Sequence, residues 1–372
     1  MQCRFVVIAT LVAGALAISG CASQTETPPP VTTHSAEGTP PANTTPAEPA
    51  PSATVINEVI DEVGIPWGID FFDGGDAIIS LRDTAELLRI SPDGAYTSLG
   101  IVPGVAQDTD EGGLLGLALK PGDQDTLFAY MTSAHDNRVV RMSVAGGSIS
   151  DVTPIVTGID RAANHNGGQL AFDADGNLFI STGDAANPPL AQDTGSLNGK
   201  ILRVDQNGEA VDGNPFGNRV YSYGHRNVQG LSFDSQGQLW ATEFGQDTTD
   251  ELNLIEEGDN YGWPVKEGSG DDSAFIDPFA SWSPTNTASP SGLEIVDDIA
   301  YLGALRGTAL FAVPLTGDRA GETYRLLEGD YGRIRSVALA PDGALWITTS
   351  NTAGWIDPRP GDDRILRVDV RG

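Results

Sequence analysis

Apolar and polar positions follow three regimes along the chain. Phe5–Ile18 is a continuous apolar stretch. It has the length of a signal peptide and is short for a membrane span. Ala22–Ser52 is Pro, Thr, Ala and Ser with almost no large apolar side chain, so it cannot bury enough surface to offset the entropy of ordering. From about Thr54, short alternating runs are separated by Gly, Asp, Asn and Pro, with no long stretch of helical period. That texture predicts short β-strands joined by tight turns.

One phrase recurs within the third regime. It reads Trp67-Gly68-Ile69-Asp70-Phe71, a turn at Gly74-Gly75, then Ala77–Ser80. It returns at Gly116–Leu119, at Gln169–Asp173, at Gly230–Asp234 and at Ser336–Ala340, each followed by a turn and a second strand, with a weaker copy near Gly303–Pro314. The Asp-Gly and Gly-containing turns mark each copy as a hairpin. A further strand type follows several copies: Leu88-Arg89-Ile90, Val140-Arg141-Met142, Ile201–Asp205 and Ile365–Asp369. Recurrence at roughly 45–65 residues predicts propeller blades stacked around a channel. The expected fold is therefore all-β, a six-bladed β-propeller over residues 54–372, in which Val55–Val63 and Arg364–Val370 meet in one blade. A sandwich or a solenoid fits the Asp-Gly repeat less well. The irregular connections Ala185–Ser196, Glu243–Gly262 and Ser281–Gly292 are expected to carry function.

Charge and cysteine usage narrow the partners. The net charge of −30 and pI near 4.2 argue against nucleic acid and against electrostatic docking on anionic lipid. Ile18-Ser19-Gly20-Cys21 resembles a bacterial lipobox. That resemblance implies a signal peptide over residues 1–20, cleavage before Cys21 and acylation of its thiol. Residues 21–53 then form a disordered Pro/Thr-rich tether, and the protein is held by lipid alone on the extracytoplasmic face of the cell membrane. The alternative is an ordinary secretory signal with a free cysteine. In either case Cys3 leaves with the signal, and no disulfide holds the domain.

His165 sits in Asn164-His165-Asn166-Gly167-Gly168, where two glycines permit positive φ and close backbone approach. It reads as a general base facing a bound cofactor, or as a turn histidine capped by its neighbours. Arg226, in Tyr223-Gly224-His225-Arg226-Asn227, precedes the next copy as His165 precedes its own, so both belong on one rim. A cation beside a histidine keeps the imidazole neutral, which suits a base; the alternative for Arg226 is an inter-blade ion pair. Arg333 and Arg335 precede the last copy, and alternation points them the same way. Arg306 precedes the outer strand of the weaker copy. In an acidic protein, arginines converging on one channel mouth indicate an anionic ligand with several carboxylates or phosphates, unless each pairs with a neighbouring acid. The oxygen-rich stretch Glu243–Asn253 suits a hard cation such as calcium, or is a solvated acidic loop.

Taken together, the phrases resemble the soluble quinoprotein glucose/sorbosone dehydrogenase family, the aldose sugar dehydrogenases that use pyrroloquinoline quinone (PQQ). The matching residues are His165-Asn166-Gly167-Gly168-Gln169-Leu170, Ser181-Thr182-Gly183-Asp184, Gly199-Lys200-Ile201-Leu202-Arg203, Gly224-His225-Arg226-Asn227, Asp250-Glu251-Leu252-Asn253, Asn260-Tyr261-Gly262-Trp263-Pro264, Ser289-Pro290-Ser291-Gly292 and Arg333-Ile334-Arg335, in family order. The lipobox and tether resemble the actinobacterial lipoprotein members. The resemblance implies PQQ and Ca2+ at the channel mouth, with a sugar or related alcohol as substrate and an unnamed electron acceptor. It makes His165 the base and Arg226 the group that polarises the quinone oxygen. Asn227 and Asp184 would line the site, and Arg306, Arg333 and Arg335 would hold the carboxylates of PQQ. Carbonyls of Gly245 and Gln246 would face the cofactor calcium, and Glu251 and Tyr261 a second, structural calcium. Glu111 and Trp282 would contribute to the same mouth. The family commonly has lysine at Arg306 and often proline at Val228. It has a glutamine after the Gly-Asp turn, for which Gln192 is the candidate here. Two further readings remain: a non-catalytic binding lipoprotein with altered cofactor use, and a metal-dependent lactonase. The second is disfavoured because arginines, not carboxylates, recur on the blade rims.

Overall fold

The computed structural model describes residues 49–106 and 110–371. Residues 1–48, including Cys21 and most of the expected tether, lie outside them. Six four-stranded antiparallel sheets form the blades of a propeller. The innermost strands are Pro66–Phe71, Leu114–Lys120, Leu170–Phe172, Val228–Phe233, Pro290–Val296 and Ile334–Leu339. In the sixth blade the outer strand is Thr54–Ile60, which pairs antiparallel with Ile365–Asp369. The ring is closed by the two strands expected from the sequence. Among the described residues no helix is long and apolar enough to cross a membrane.

Adjacent blades are packed by apolar side chains and tied by hydroxyls. The core is divided into clusters that each lie between neighbouring blades; Ile78, Leu114 and Leu127 belong to one, Leu310, Ile334 and Ile347 to another. Each sheet thus buries both faces, which a single blade cannot do. Near the axis the backbones come too close for side chains: a Cβ on Gly116 would meet the Gly168 carbonyl oxygen at 2.2 Å, and one on Gly230 the Ser291 carbonyl oxygen at 2.4 Å. The recurring Ser or Thr late in the second strand then bridges to the next blade. Ser80 donates to the Leu115 carbonyl (2.6 Å), Ser181 to that of Val228 (2.9 Å) and Thr242 to that of Ser291 (2.5 Å). Further down the channel, Asp70 accepts from the N–H groups of Phe71 and Leu119, both at 2.7 Å. Glu294 makes the same kind of bridge to Ile295 and Leu339.

Two expectations are corrected here. The weaker copy near Gly303–Pro314 is the second and third strand of the fifth blade, whose first strand is Pro290–Val296. Ser291-Gly292 interrupts the apolar alternation there and hides it. The stretch Glu243–Gly262 is not wholly irregular: Asp250–Ile255 is the third strand of the fourth blade. Its Asp250, Glu251 and Asn253 are buried polar residues, so polarity masked a strand.

In every blade, the start of the first strand and the turn between the second and third strands lie at the same end of the channel. The site is assembled there.

Candidate active site at the channel mouth

The mouth contains a cavity lined by Glu111, His165, Arg226, Asn227, Gly245, Gln246, Arg306, Arg333 and Arg335. These residues come from five blades. His165, Arg226, Arg333 and Glu111 stand at or just before the starts of innermost strands, and Arg306 and Gly245 in turns between second and third strands. The repeat alone places them together.

His165 adopts φ +58°, followed by Gly167 at +64° and Gly168 at +115°. The turn presses against the next hairpin: a Cβ on Gly183 would meet the His165 carbonyl oxygen at 1.9 Å. The imidazole is not capped by its neighbours. Its Nδ1 lies 2.7 Å from Asp184 Oδ1. Asp184 is fully buried and accepts further hydrogen bonds from Trp263 Nε1 at 2.8 Å and the Ala186 N–H at 2.8 Å. Against such an acceptor His165 carries its hydrogen on Nδ1, which leaves Nε2 as the basic nitrogen on the cavity side. The His165 backbone N–H donates to Glu111 Oε2 at 3.3 Å.

Arg226 is held from its main chain. Its N–H donates to Glu243 Oε1, while Glu243 Oε2 lies 2.9 Å from His225 Nδ1. The buried His225 ring stacks on Tyr261, centroids 4.7 Å apart. The Arg226 guanidinium donates to the Phe244 carbonyl at 3.1 Å and sits 5.4 Å from the Trp263 ring. Burial holds its pKa below the usual arginine value. Arg335 donates to Gln229 Oε1 at 3.2 Å. Burial, aided by the like charges of Arg82 and Arg333, lowers the Arg335 pKa to about 9. Burial and the charge of Arg306 lower that of Arg333 to about 10. Both remain cations near neutrality.

The cavity carries more donors than acceptors. Arg226 Nε, Asn227 Nδ2, Arg333 Nε and Arg335 Nε are buried with no hydrogen-bond partner. Among the described residues no carboxylate forms an ion pair with Arg226, Arg306, Arg333 or Arg335; of the cavity arginines only Arg82 is paired, to Asp83 at 2.6 Å. Buried polar groups are rarely left unpaired, and buried cations less often still. An anionic ligand with several acceptor oxygens would satisfy these donors and relieve the repulsion among the guanidinium groups. Calcium has a narrower footing. Gly245 and Gln246 line the same cavity, and neither carbonyl accepts a hydrogen bond among the described residues, so both are free to join an oxygen shell.

Some expected residues lie elsewhere. Asp184 is behind His165 and does not line the cavity. Gln192 ends a 3-10 turn, Pro188–Gln192, that aims its side chain at Asn260 Oδ1 (3.0 Å) and the Trp263 carbonyl (2.7 Å). It braces the loop behind His165 and reaches no ligand space. Trp282 is on the outermost strand of the fourth blade, three strands from the axis. It donates to Thr323 Oγ1 at 2.9 Å and packs on Phe311, so it belongs to the core between two blades. Glu251 and Tyr261 line a separate small crevice beneath Arg226, with Glu243 and Glu267. The Tyr261 hydroxyl is committed to the Leu254 carbonyl (2.7 Å) and the Glu256 N–H (2.9 Å). Glu251 is pushed up to about 7 by burial and by Glu243.

The cavity also recruits Trp67, Arg82, Gln229 and Trp355, which no motif of the sequence marks as site residues, and Asp250 and Ser289, which belong to the matching phrases but carry no assigned role there. Arg82 follows the second strand of the first blade, the slot that Arg306 fills in the fifth. Gln229 is two residues after Asn227, which alternation places on the same side. Asp250 accepts from the N–H groups of Gly245 (2.9 Å) and Ser289 (2.7 Å), and burial raises its pKa to about 7. Lys200, in the Gly199-Lys200 phrase, is wholly buried. Its ammonium donates to the carbonyls of Leu190, Ala191 and Asn198 at 2.7–2.9 Å, pinning the loop that follows Asp184; burial lowers its pKa to about 7.

Comparison with known proteins agrees with this architecture. The chain is similar to the PQQ-bound aldose sugar dehydrogenase of Streptomyces coelicolor, with 46% identity and TM-score 0.83, covering 86% of this chain and 98% of that one. It is 30% identical to an aldose sugar dehydrogenase of Escherichia coli K12 over 82% of this chain and 92% of the relative. The apo-form structure of a soluble aldose sugar dehydrogenase from Escherichia coli superposes with TM-score 0.75 at 25% identity, over 86% of this chain and all of that one (100%). The profile of the Glucose / Sorbosone dehydrogenase family matches residues 63–357, and the chain belongs to that family.

Proposed function

We propose that this protein is a dehydrogenase of aldoses or related alcohols that works with PQQ and Ca2+. One observation carries the reading: the His165–Asp184 pair opens into the same cavity as the unpartnered donors of Arg226, Asn227, Arg333 and Arg335. A base and an anion-binding floor face each other across one space. The similar Streptomyces coelicolor enzyme is described as PQQ-bound, and PQQ is an anion with several carboxylates.

When bound, PQQ supplies the hydride acceptor for oxidation of a carbinol carbon. The chain supplies the rest. Arg306, Arg333, Arg335 and Asn227 would hold the carboxylates, and the guanidinium of Arg226 would answer negative charge as it develops. Gly245 and Gln246 would offer carbonyls to calcium, and Glu251 with the Tyr261 main chain would hold a second calcium. His165 Nε2 takes the proton of the substrate hydroxyl, and the Asp184 carboxylate stabilises the imidazolium that results. Both electrons leave with the hydride and pass later to an external acceptor. The intact base favours catalysis over a binding-only propeller, and the arginine-rich mouth disfavours metal-assisted lactone hydrolysis.

Absorbance titration of the purified protein with PQQ should show saturable binding that calcium strengthens. The loaded protein should then reduce an artificial acceptor when given aldoses. Saturable binding without turnover would leave only a binding protein. We further propose that Cys21 anchors the protein on the extracytoplasmic face. Incorporation of labelled palmitate should disappear in Cys21→Ala, and its persistence would reject the anchor.

A further inference from the structure

The protein has six tryptophans. Trp67, Trp240, Trp263, Trp282 and Trp346 are buried, none above 8% exposed. Trp355 is 58% exposed, and it lines the cavity. A single exposed apolar residue on a plain surface would need no explanation. An exposed indole at the lip of a cavity otherwise lined mainly by charged and amide side chains does.

Its loop is fixed at the base and on its far side. Asp363 accepts from the Asn351 N–H (2.5 Å), Thr352 Oγ1 (2.5 Å) and Thr349 Oγ1 (3.2 Å), closing the loop at its root. Arg359 donates to the carbonyls of Asp330 (2.7 Å) and Gly329 (3.0 Å) on the neighbouring connection. This loop joins the second and third strands of the sixth blade, the register that carries Arg306 in the fifth and Gly245 in the fourth. The Arg333 guanidinium lies 5.8 Å from the indole centroid, and more than half of the residue's surface stays in water. The loop therefore holds out an aromatic surface beside the cationic floor, across the shared cavity from the base.

A pyranose has two kinds of surface. Its hydroxyl edge seeks groups such as Glu111, Asn164 and His165, which line the cavity. Its C–H face is apolar and packs well on an indole, whose broad face combines with a polar tip. We propose that Trp355 is the outer wall of the substrate subsite and stacks on the C–H face of an aldopyranose ring, making the site selective for cyclic sugars over short open-chain alcohols. This inference rests on the dehydrogenase reading above.

The test uses full-length protein loaded with PQQ and calcium, with glucose as probe and glycerol as comparison. In Trp355→Ala, KM for glucose rises about tenfold, kcat falls far less, and kinetics with glycerol change little. Trp355→Phe recovers most of the loss. Independently, red-edge indole emission and its quenching by acrylamide report Trp355, since the other indoles are buried; glucose protects this signal, and the signal is absent in Trp355→Phe. An unchanged KM in Trp355→Ala with normal wild-type turnover overturns the inference and leaves the dehydrogenase reading standing. Protection by glucose without wild-type turnover does the reverse. Full protection by PQQ alone, with no further effect of sugar, assigns the ring to the cofactor and also overturns the inference.

Discussion

At the far end of the propeller, Asp173, Asp205 and Asp234 each close a hairpin by accepting two main-chain N–H groups. Asp173 Oδ1 takes Asp175 and Asn177 at 3.0 and 2.8 Å, Asp205 Oδ1 takes Asn207 and Glu209 at 2.8 and 2.9 Å, and Asp234 Oδ1 takes Gln236 and Gln238, both at 2.9 Å. Those turns satisfy themselves within five residues. At the mouth, Arg226 and Asn227 precede the hairpin that Asp234 closes, and Arg333 and Arg335 stand at the start of the first hairpin of the sixth blade; each holds a buried donor that nothing in the described chain satisfies. Arg319 Nη1, Trp346 Nε1 and Arg367 Nε, toward the far end, are also without a partner among the described residues, but they line no common cavity there, whereas the donors at the mouth share one. The difference teaches where to look in a repeat protein: the end where unmatched polar groups converge on one cavity is the end that binds.

This contrast can be broken, and the expected effects fall in order. His165→Ala should lower turnover by about 10²–10⁴-fold with the melting temperature and PQQ titration little changed; turnover near wild type would remove His165 from the mechanism. Arg335→Met should weaken PQQ binding by about one to two orders of magnitude, the loss of a charge-assisted hydrogen bond. The same variant should melt higher than wild type without cofactor, because a buried, repelled cation has been replaced by a packed apolar chain. A lower melting point would mean that the guanidinium holds the empty fold together. Asp234→Ala, at the opposite end, should destabilise the domain by about 1–2 kcal/mol in denaturant unfolding while leaving the PQQ titration unaltered. A change in PQQ affinity there would show that the two ends are coupled.

The smallest effect concerns the channel between them. Burial raises Glu294 to about 8, helped by the nearby Asp70, which burial raises to about 6. Both folded values lie above the ordinary carboxylate range, so the folded state holds more protons there than the unfolded chain. The stability contribution is full in acid and is lost as pH rises through about 6 and then about 8. Glu294→Gln should flatten the upper part of this decline in melting temperature against pH. An unaltered profile would place the titration elsewhere.

Much of the mouth was legible because the repeat carries position. Once His165 and Arg226 are seen to precede equivalent copies, a common rim follows without knowledge of any contact. Arg82 was equally accessible: it occupies the slot used to single out Arg306. Trp282 shows the limit. Distance from the axis depends on counting strands within a blade. The inward polar residues of Asp250–Ile255 hide that strand, so the fourth strand beyond it, Ala280–Trp282, reads as the start of an irregular connection, and only the family resemblance places Trp282 at the mouth. Gln192 and Asp184 show a second limit, since proximity to a site does not say whether a side chain faces the ligand or braces the residue that does. The Asp184–His165 contact depends on how two turns from one blade fold onto each other, which alternation patterns do not encode.

The pairing of Thr54–Ile60 with Ile365–Asp369 also governs how the protein must be made. An ion pair across it, Arg364 to Glu58, joins residues 306 positions apart. Contacts of such separation form late, after the entropy of bringing distant ends together has been overcome. Synthesis of the last strand is therefore the event that permits closure. A chain arrested a few residues short would keep an open sheet edge on the strand Leu345–Thr349, free to capture a strand from another molecule.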